Sequence, residues 1–247
     1  MRCRNESWAI VIFEKQFPAV VFFISHARVE SVLWNNDEPV LSKKNGYHGW
    51  QAGYDEHGNQ TVITYLGTDG EPAFLDDGYA AARMAYDARG NMTSKTYHGP
   101  NGEPVLSKEN GYHGWQAEYD EHNNRTVITY LGKDKPTFLD DGYATMKSAY
   151  DARGKVVRRT FYGGNGEPVQ QKDGYYGWEA EYDEQGRRTV VTYLGLDGKP
   201  TTIADGYAIF KSSYDARGHE TRETFHGPNG LPVLSKEKGN HGWEKRS

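Results

Sequence analysis

Three sets of residues in this chain have types and spacings suited to chemistry. Tryptophans stand at Trp50, Trp115, Trp178 and Trp243, each preceded by glycine, and Tyr54, Tyr119 and Tyr182 follow four residues behind the first three. Aromatic faces in such a row would stack on sugars or attract quaternary ammonium groups. Adjacent carboxylates occur at Asp76-Asp77 and Asp140-Asp141, the raw material for a calcium site or a glycosidase acid pair. His48, His113 and His241 each lie two residues before a tryptophan and would suggest a metal array.

Two of these sets weaken when compared copy by copy. The third counterpart of the carboxylate pair is Ala204-Asp205, and each pair directly precedes a turn glycine. Adjacent side chains on a strand also point apart, so turn chemistry is the better reading. Tyr176 replaces the histidine in one copy, which removes a metal ligand there and leaves a solvent-facing or sheet-face role for the others. No nucleophile elbow, P-loop or HExxH motif is present. Cys3 is the lone cysteine, so neither a disulfide framework nor a CxxC metal site exists. An enzyme is the least expected class, and no cofactor or metal is expected. The tryptophans keep two readings: fillers of small cores, or ligand platforms assisted by Tyr54, Tyr119 and Tyr182. Gly49, Gly114, Gly177 and Gly242 fit both, by opening a ring face or by relieving crowding.

The elements that position these residues recur. The Tyr-Asp pair appears with its tyrosine at 54, 86, 119, 150, 182 and 214, so successive gaps are 32, 33, 31, 32 and 32 residues. Two flavours alternate: Gly-Tyr-(His/Tyr)-Gly-Trp before the pair in one, Gly-Tyr-Ala in the other. The true period is therefore 64, as the spacing of "YDARG" at 86, 150 and 214 confirms. A period of this size signals a repeat architecture in which each unit packs mainly on its neighbours. The irregular gaps trace to single-residue slips in turn-like stretches, where they are tolerated.

Each unit carries three turn signals. In Tyr-Asp-x-x-Gly, an aspartate at the first turn position can bond its own backbone two residues on, and the fourth position must tolerate φ > 0. The aspartates are Asp55, Asp87, Asp120, Asp151, Asp183 and Asp215, and the fourth positions are Gly58, Gly90, Asn123, Gly154, Gly186 and Gly218. The single departure is asparagine, the residue that best substitutes for glycine there. Asp-Gly or Asn-Gly dipeptides mark the other two turns. Between them lie β-branched and aromatic runs such as Gln60–Leu66, and a Glu-Pro-Val-Leu stretch that reads as a shorter third strand with proline at its start. "GYAAARMAYD" has helix-friendly alanines, but it fills the slot of "GYHGWQAEYD" and reads as strand. The expected fold is all-β: tandem β-hairpin repeats stacked as an elongated solenoid or a twisted antiparallel meander, with almost no helix.

Composition agrees. The 247 residues include 18 Tyr and 29 Gly and carry a formal charge of −5. That balance disfavours nucleic acid. The chain divides into a divergent segment 1–36, a repeat array 37–243 and a tail 244–247. The first 27 residues start basic and carry the apolar run Ala19–Ile24, like a short signal peptide, but Glu14 and Lys15 interrupt it. A divergent cap is the alternative. The run is too short to span a membrane.

The Tyr-Asp-x-x-Gly-Asn pattern followed by a strand and a Gly turn resembles the YD or RHS repeats of bacterial surface and toxin-delivery proteins, over residues 37–243. This unit is longer than a typical YD repeat and has two flavours. The resemblance implies a β-sheet shell or scaffold, bacterial and exported or surface-bound rather than cytoplasmic. A weaker resemblance, through Gly-Trp and Tyr, is to choline- and glucan-binding hairpin repeats, whose aromatics form shallow ligand sites. The function expected is a non-enzymatic scaffold with a protein or glycan partner. The alternatives are a carbohydrate- or choline-binding module using the tryptophan row, and a fragment of an RHS-like shell. Open strand edges would allow end-to-end self-association.

Overall fold

The computed structural model describes residues 9–12, 20–25, 28–35, 38–42, 46–133 and 136–245, with side chains from residue 40 onward. Cys3, most of the candidate signal's flanks and residues 246–247 lie outside these. The chain divides into two compact units, residues 1–116 with 131–134 and residues 117–130 with 135–247.

Both units are antiparallel β throughout, and no described residue is helical. No helix among them is long and apolar enough to cross a membrane. In the first unit, β1 (Ala9–Ile12) pairs with β2 (Val20–Ser25), and β2 with β3 (Arg28–Asn35). Residues 20–24 of the apolar run considered as a signal lie in β2, which has partners on both sides. β3 also pairs with β4 (Glu38–Pro39) and with β5 (Gly49–Tyr54). The meander continues through β6 (Gln60–Leu66), β7 (Ala81–Tyr86), β8 (Met92–His98) and the first half of β9 (Gly114–Tyr119). In the second unit it runs through β10 (Arg125–Leu131), β11 (Thr145–Tyr150), β12 (Val156–Tyr162), β13 (Gly177–Tyr182), β14 (Arg188–Leu194), β15 (Ile209–Tyr214), β16 (Glu220–His226) and β17 (Gly242–Glu244). The alanine-rich β7 is a strand because its register against β6 and β8 decides its state, over its local propensity.

The Tyr-Asp turns form as the aspartates dictate. In the first, Asp55 Oδ1 accepts the His57 and Asn59 amides at 3.0 and 2.8 Å, and Oδ2 accepts Asn59 Nδ2 at 2.9 Å. A register shift falls between Gly53 and Tyr54, the bulge that this turn requires. Asp87, Asp120, Asp151 and Asp215 accept the matching pair of amides. Bonding to the charged form holds these carboxyls below the usual carboxylate range, led by the Asn59, Asn91 and Asn124 side chains at Asp55, Asp87 and Asp120. Asn123 has φ 65°, and it is the only non-glycine with positive φ among the described residues.

The Glu-Pro-Val-Leu stretch differs from expectation. Only its first copy pairs as a strand, β4; the later copies form single bridges, Leu66 to Pro72, His98 to Pro104, Tyr162 to Pro168, Leu194 to Pro200 and His226 to Pro232. Proline offers no amide, Ala73 then gives one bond to Tyr65 O at 3.0 Å, and the Leu75 amide is already used to close the next turn on Tyr79 O. Too few free donors remain for a ladder.

The core combines alanines, aromatic rings and a few aliphatics, among them Leu66, Ile128, Val191 and Leu194. Strand residues Tyr65, Tyr97, Tyr193 and Phe225 alternate with Tyr47, Tyr79, Tyr112, Tyr175 and Tyr207, each of which follows a turn glycine. Their centroids lie 4.7 to 6.4 Å apart along each ladder. A fully buried ring such as Phe225, 2% exposed, contributes about 1.5–3 kcal/mol before entropy is counted. The alternation of flavours has a steric cause. Ala80, Ala144 and Ala208 are wholly buried where the other flavour places His48, His113 or Tyr176. His98 meets His113 edge to face at 5.2 Å, and the counterpart pair Tyr162 and Tyr176 meets at 5.6 Å. The residue in the place of His98 and Tyr162 is Leu66 or Leu194 in the other flavour, so one flavour sets two rings where the other sets a leucine and an alanine. His48 and His113 are buried, at 5% and 8% exposure, which corrects the solvent-facing reading. Each satisfies Nδ1 on a backbone carbonyl, Val40 O and Val105 O.

Neighbouring hairpins are locked by the tyrosine of the Tyr-Asp pair. The hydroxyls of Tyr86, Tyr150, Tyr182 and Tyr214 donate to Gln60 O, Arg125 O, Val156 O and Arg188 O at 2.8 to 3.1 Å. This second role, beyond the turn, is why tyrosine rather than another aromatic recurs there.

Candidate functional site

The glycines before the tryptophans are explained by packing. A Cβ on Gly114 or Gly177 would fall inside contact distance of Lys95 O or Arg159 O, so the slot admits only glycine. The tryptophans beside them are neither core nor free. Trp50, Trp115 and Trp178 are half-buried, and Trp243 is 39% exposed. Trp178 lies with the Arg159 and Arg188 guanidinium groups 5.5 and 5.9 Å from its centroid. A cation already faces that ring, so a ligand would have to displace it. Tyr54 is 36% exposed, Tyr119 is half-buried, and the Tyr182 hydroxyl is engaged on Val156 O. Within each strand the tryptophan and its tyrosine, four residues apart, alternate onto one face.

A recess forms elsewhere. Tyr47, Tyr65 and Tyr79, with Leu75, Asp76, Asp77 and Glu109, enclose a cavity of about 310 Å³. The elements that place them are two turns and a strand. Tyr47 and Tyr79 follow the turn glycines Gly46 and Gly78, whose φ values are 76° and 86°, and Tyr65 comes from β6. The rings are 5.4 and 6.0 Å apart in sequence order.

One wall is a clamp between successive turns. Asp77 Oδ2 accepts Ser107 Oγ at 2.8 Å, Asp77 Oδ1 accepts the Glu109 amide at 2.6 Å, and Asp77 O accepts the Lys108 amide at 2.8 Å. Ser107 is 1% exposed and also accepts from the Asn110 amide and Nδ2. Lys108 Nζ reaches Asp76 O at 3.0 Å. Burial, then the neighbouring Tyr65 and Tyr97 hydroxyls and the Asp77 carboxylate, push the Tyr79 hydroxyl far above the ordinary tyrosine range, and burial does the same more mildly at Tyr65. Both rings are therefore neutral phenols at physiological pH.

The arrangement recurs in the second unit. Tyr175, Tyr193 and Tyr207 stand 4.8 and 5.9 Å apart in sequence order, and Asp205 accepts Ser235 Oγ at 2.7 Å and the Glu237 amide at 2.5 Å. Ala204 takes the place of Asp76. The sequence carried a signal for this site: tyrosine follows the turn glycines Gly46, Gly78, Gly174 and Gly206, and Ser-Lys recurs at 107–108 and 235–236. The aspartates were legible as turn residues, but their partners 30 residues on were not.

No family model matches the chain, and no curated protein matches it. Among solved structures it is similar to the Tc holotoxin pore of Photorhabdus luminescens, in a form mutated in TccC3, at TM-score 0.32 and 10% identity over 85% of this chain and 14% of that one. It is also similar to a TcdB2-TccC3-TEV crystal structure at TM-score 0.20 and 10% identity, over 85% of this chain and 15% of that one. The chain spans about a seventh of the length of either, and likenesses this low carry no argument.

Proposed function

We propose that this chain is a non-catalytic tandem-repeat β scaffold that binds a partner through side chains presented at repeat spacing. One observation carries the reading: the recess residues recur, with the same clamp, in both units. A catalytic centre needs one constellation, whereas weak sites repeated along one chain gain through effective concentration. The Tyr-Asp-x-x-Gly turn supports placing the scaffold beside the YD and RHS repeats, and a fragment of such a shell stays within this reading. A second reading, sugar stacking on the tryptophan row, is favoured by the partial exposure of Trp50, Trp115, Trp178 and Trp243.

The test is a titration of tryptophan and tyrosine emission with oligosaccharides and small ammonium compounds, alongside an assay for their conversion. Saturable, reversible binding without product is expected. Turnover that survives purification and is lost on one substitution would contradict the scaffold reading.

A further inference from the structure

We propose that the exposed apolar row Leu41, Phe74 and Leu106 in the first unit docks a basic amphipathic α-helix of a partner protein. The inference goes beyond the scaffold reading, since it names another surface and a partner of stated chemistry.

Each residue of the row occupies the same backbone frame. Ala73 and Val105, one residue earlier, donate their amides to Tyr65 O and Tyr97 O. Leu75 and Ser107, one residue later, donate theirs to Tyr79 O and Tyr112 O, and the Ser42 amide after Leu41 donates likewise to Tyr47 O. Leu75 and Ser107 are buried, whereas Leu41, Phe74 and Leu106 are 51%, 51% and 41% exposed.

The frame itself does not call for an apolar side chain. In the second unit the exposed Gln170 and Thr202 stand in it, between amides bonded in the same way. Val169 and Gln171 donate to Phe161 O and Tyr175 O, and Thr201 and Ile203 to Tyr193 O and Tyr207 O. The fold thus accepts polar residues at this position, and three successive apolar residues there in one unit point to a partner.

Spacing and shape select that partner. The Leu66–Pro72 bridge ties Phe74's segment to β6, and the His98–Pro104 bridge ties Leu106's segment to β8. With β7 between them, the two segments are two strand spacings apart, about 9.6 Å. β4, just before Leu41, pairs with β3, which β5 separates from β6, so the same step recurs. An α-helix returns a side chain to the same face every two turns, about 10.5 Å. A protruding leucine or phenylalanine also needs a groove on its partner, and a helix surface offers one between its rows of side chains. Polyproline segments have a comparable pitch but themselves enter grooves, which is the opposite shape.

Charge fixes the sign. Phe74 lies between Glu71 and Asp76-Asp77, and Leu106 between Glu103 and Glu109, with Lys108 the one cation in the stretches 71–77 and 103–109. Lys108 Nζ is engaged at the Asp76 carbonyl. Lys43 and Lys44 offset this charge at the Leu41 end of the sequence. The helix that fits carries Lys or Arg on both sides of its apolar stripe where it meets Phe74 and Leu106. A second copy laid row to row, or an anionic lipid surface, would bring like charges together.

The experiment is fluorescence anisotropy of a labelled helical peptide of about 21 residues, leucine at every seventh position and lysine on both flanks, titrated with the full chain. Phe74→Gln and Leu106→Gln install the side chain that the fold accepts at position 170. Each should keep the parent's circular dichroism and Tm and weaken the peptide at least about fivefold. The double variant Glu71→Gln with Glu109→Gln should weaken it about three- to tenfold at low salt, and less as salt rises. A peptide with glutamate in place of lysine should bind at least about tenfold more weakly than the basic one. Binding indifferent to Phe74→Gln and Leu106→Gln would overturn the proposal, as would equal binding of the acidic peptide, or no binding of the basic one. Preference for a proline-rich peptide or for anionic vesicles would overturn it too, as would self-association lost on Phe74→Gln in sedimentation. None of these variants alters the tyrosine rings of the recess, so the scaffold reading stands or falls by its own titration.

Discussion

Asn123 holds the fourth turn position with φ 65°, where its five counterparts are glycine. A side chain without local hydrogen bonding meets a steric penalty in that region. Asn123→Ala should therefore lower stability by about 1 kcal/mol, and Asn123→Gly should be close to neutral, as read from denaturant midpoints. Equal effects of the two would mean that the left-handed turn is not what the residue supplies. The clamp gives a second case. Ser107→Ala deletes a buried hydroxyl that donates to Asp77 and accepts from Asn110, and it should cost about 1–2 kcal/mol in the same measurement. No loss would show that the Lys108 and Glu109 amides hold Asp77 without the serine. Both positions were legible to different degrees. The Asn-for-Gly exchange is visible in the sequence because φ constrains identity at one position. The clamp is not, because its two ends lie 30 residues apart and only the fold brings them together.

Strands and turns came through where local chemistry decides them. Asp-x-x-Gly fixes its hairpin, and alternation fixes which face Trp115, Ala117 and Tyr119 share. Proline's missing amide, by contrast, reduced the expected third strand to single bridges, since the competing turn takes the remaining donor. Burial of His113 was likewise hidden, because it depends on the His98 ring of the neighbouring hairpin. The paired rings at the ends of β8 and β12 yield a prediction. His98 is 8% exposed, touches His113, bonds Thr96 Oγ1 and Gly102 O, and faces Arg83 and Glu103. Burial, opposed by its bond to Gly102 O and reinforced by Arg83 and His113, holds its imidazole below the ordinary value of 6.5. The folded chain thus disfavours the proton that the unfolded chain accepts. Stability from this neutral ring is complete above about pH 6.5 and is lost as pH falls below it. Tyr162 and Tyr176 fill the counterpart slot, so the double variant His98→Tyr with His113→Tyr should show a smaller fall in Tm between pH 7 and pH 5 than the parent. An identical fall would place the acid sensitivity outside this pair.

Across the molecule, two compact units are built from one double repeat, and each carries the tyrosine and carboxylate set. The period and all-β class were open to sequence because they are written many times over. The recess was not, since its rings come from turns and a strand that composition alone does not bring together. Binding by repeated sites can be read by surface plasmon resonance of the full chain against a trimethylammonium-bearing polymer and a linear glucan, each compared with its monomer. At least one polymer should be held about a hundredfold or more tighter than its monomer, with no conversion of either. Equal affinities for polymer and monomer, or turnover of any of the four, would contradict it.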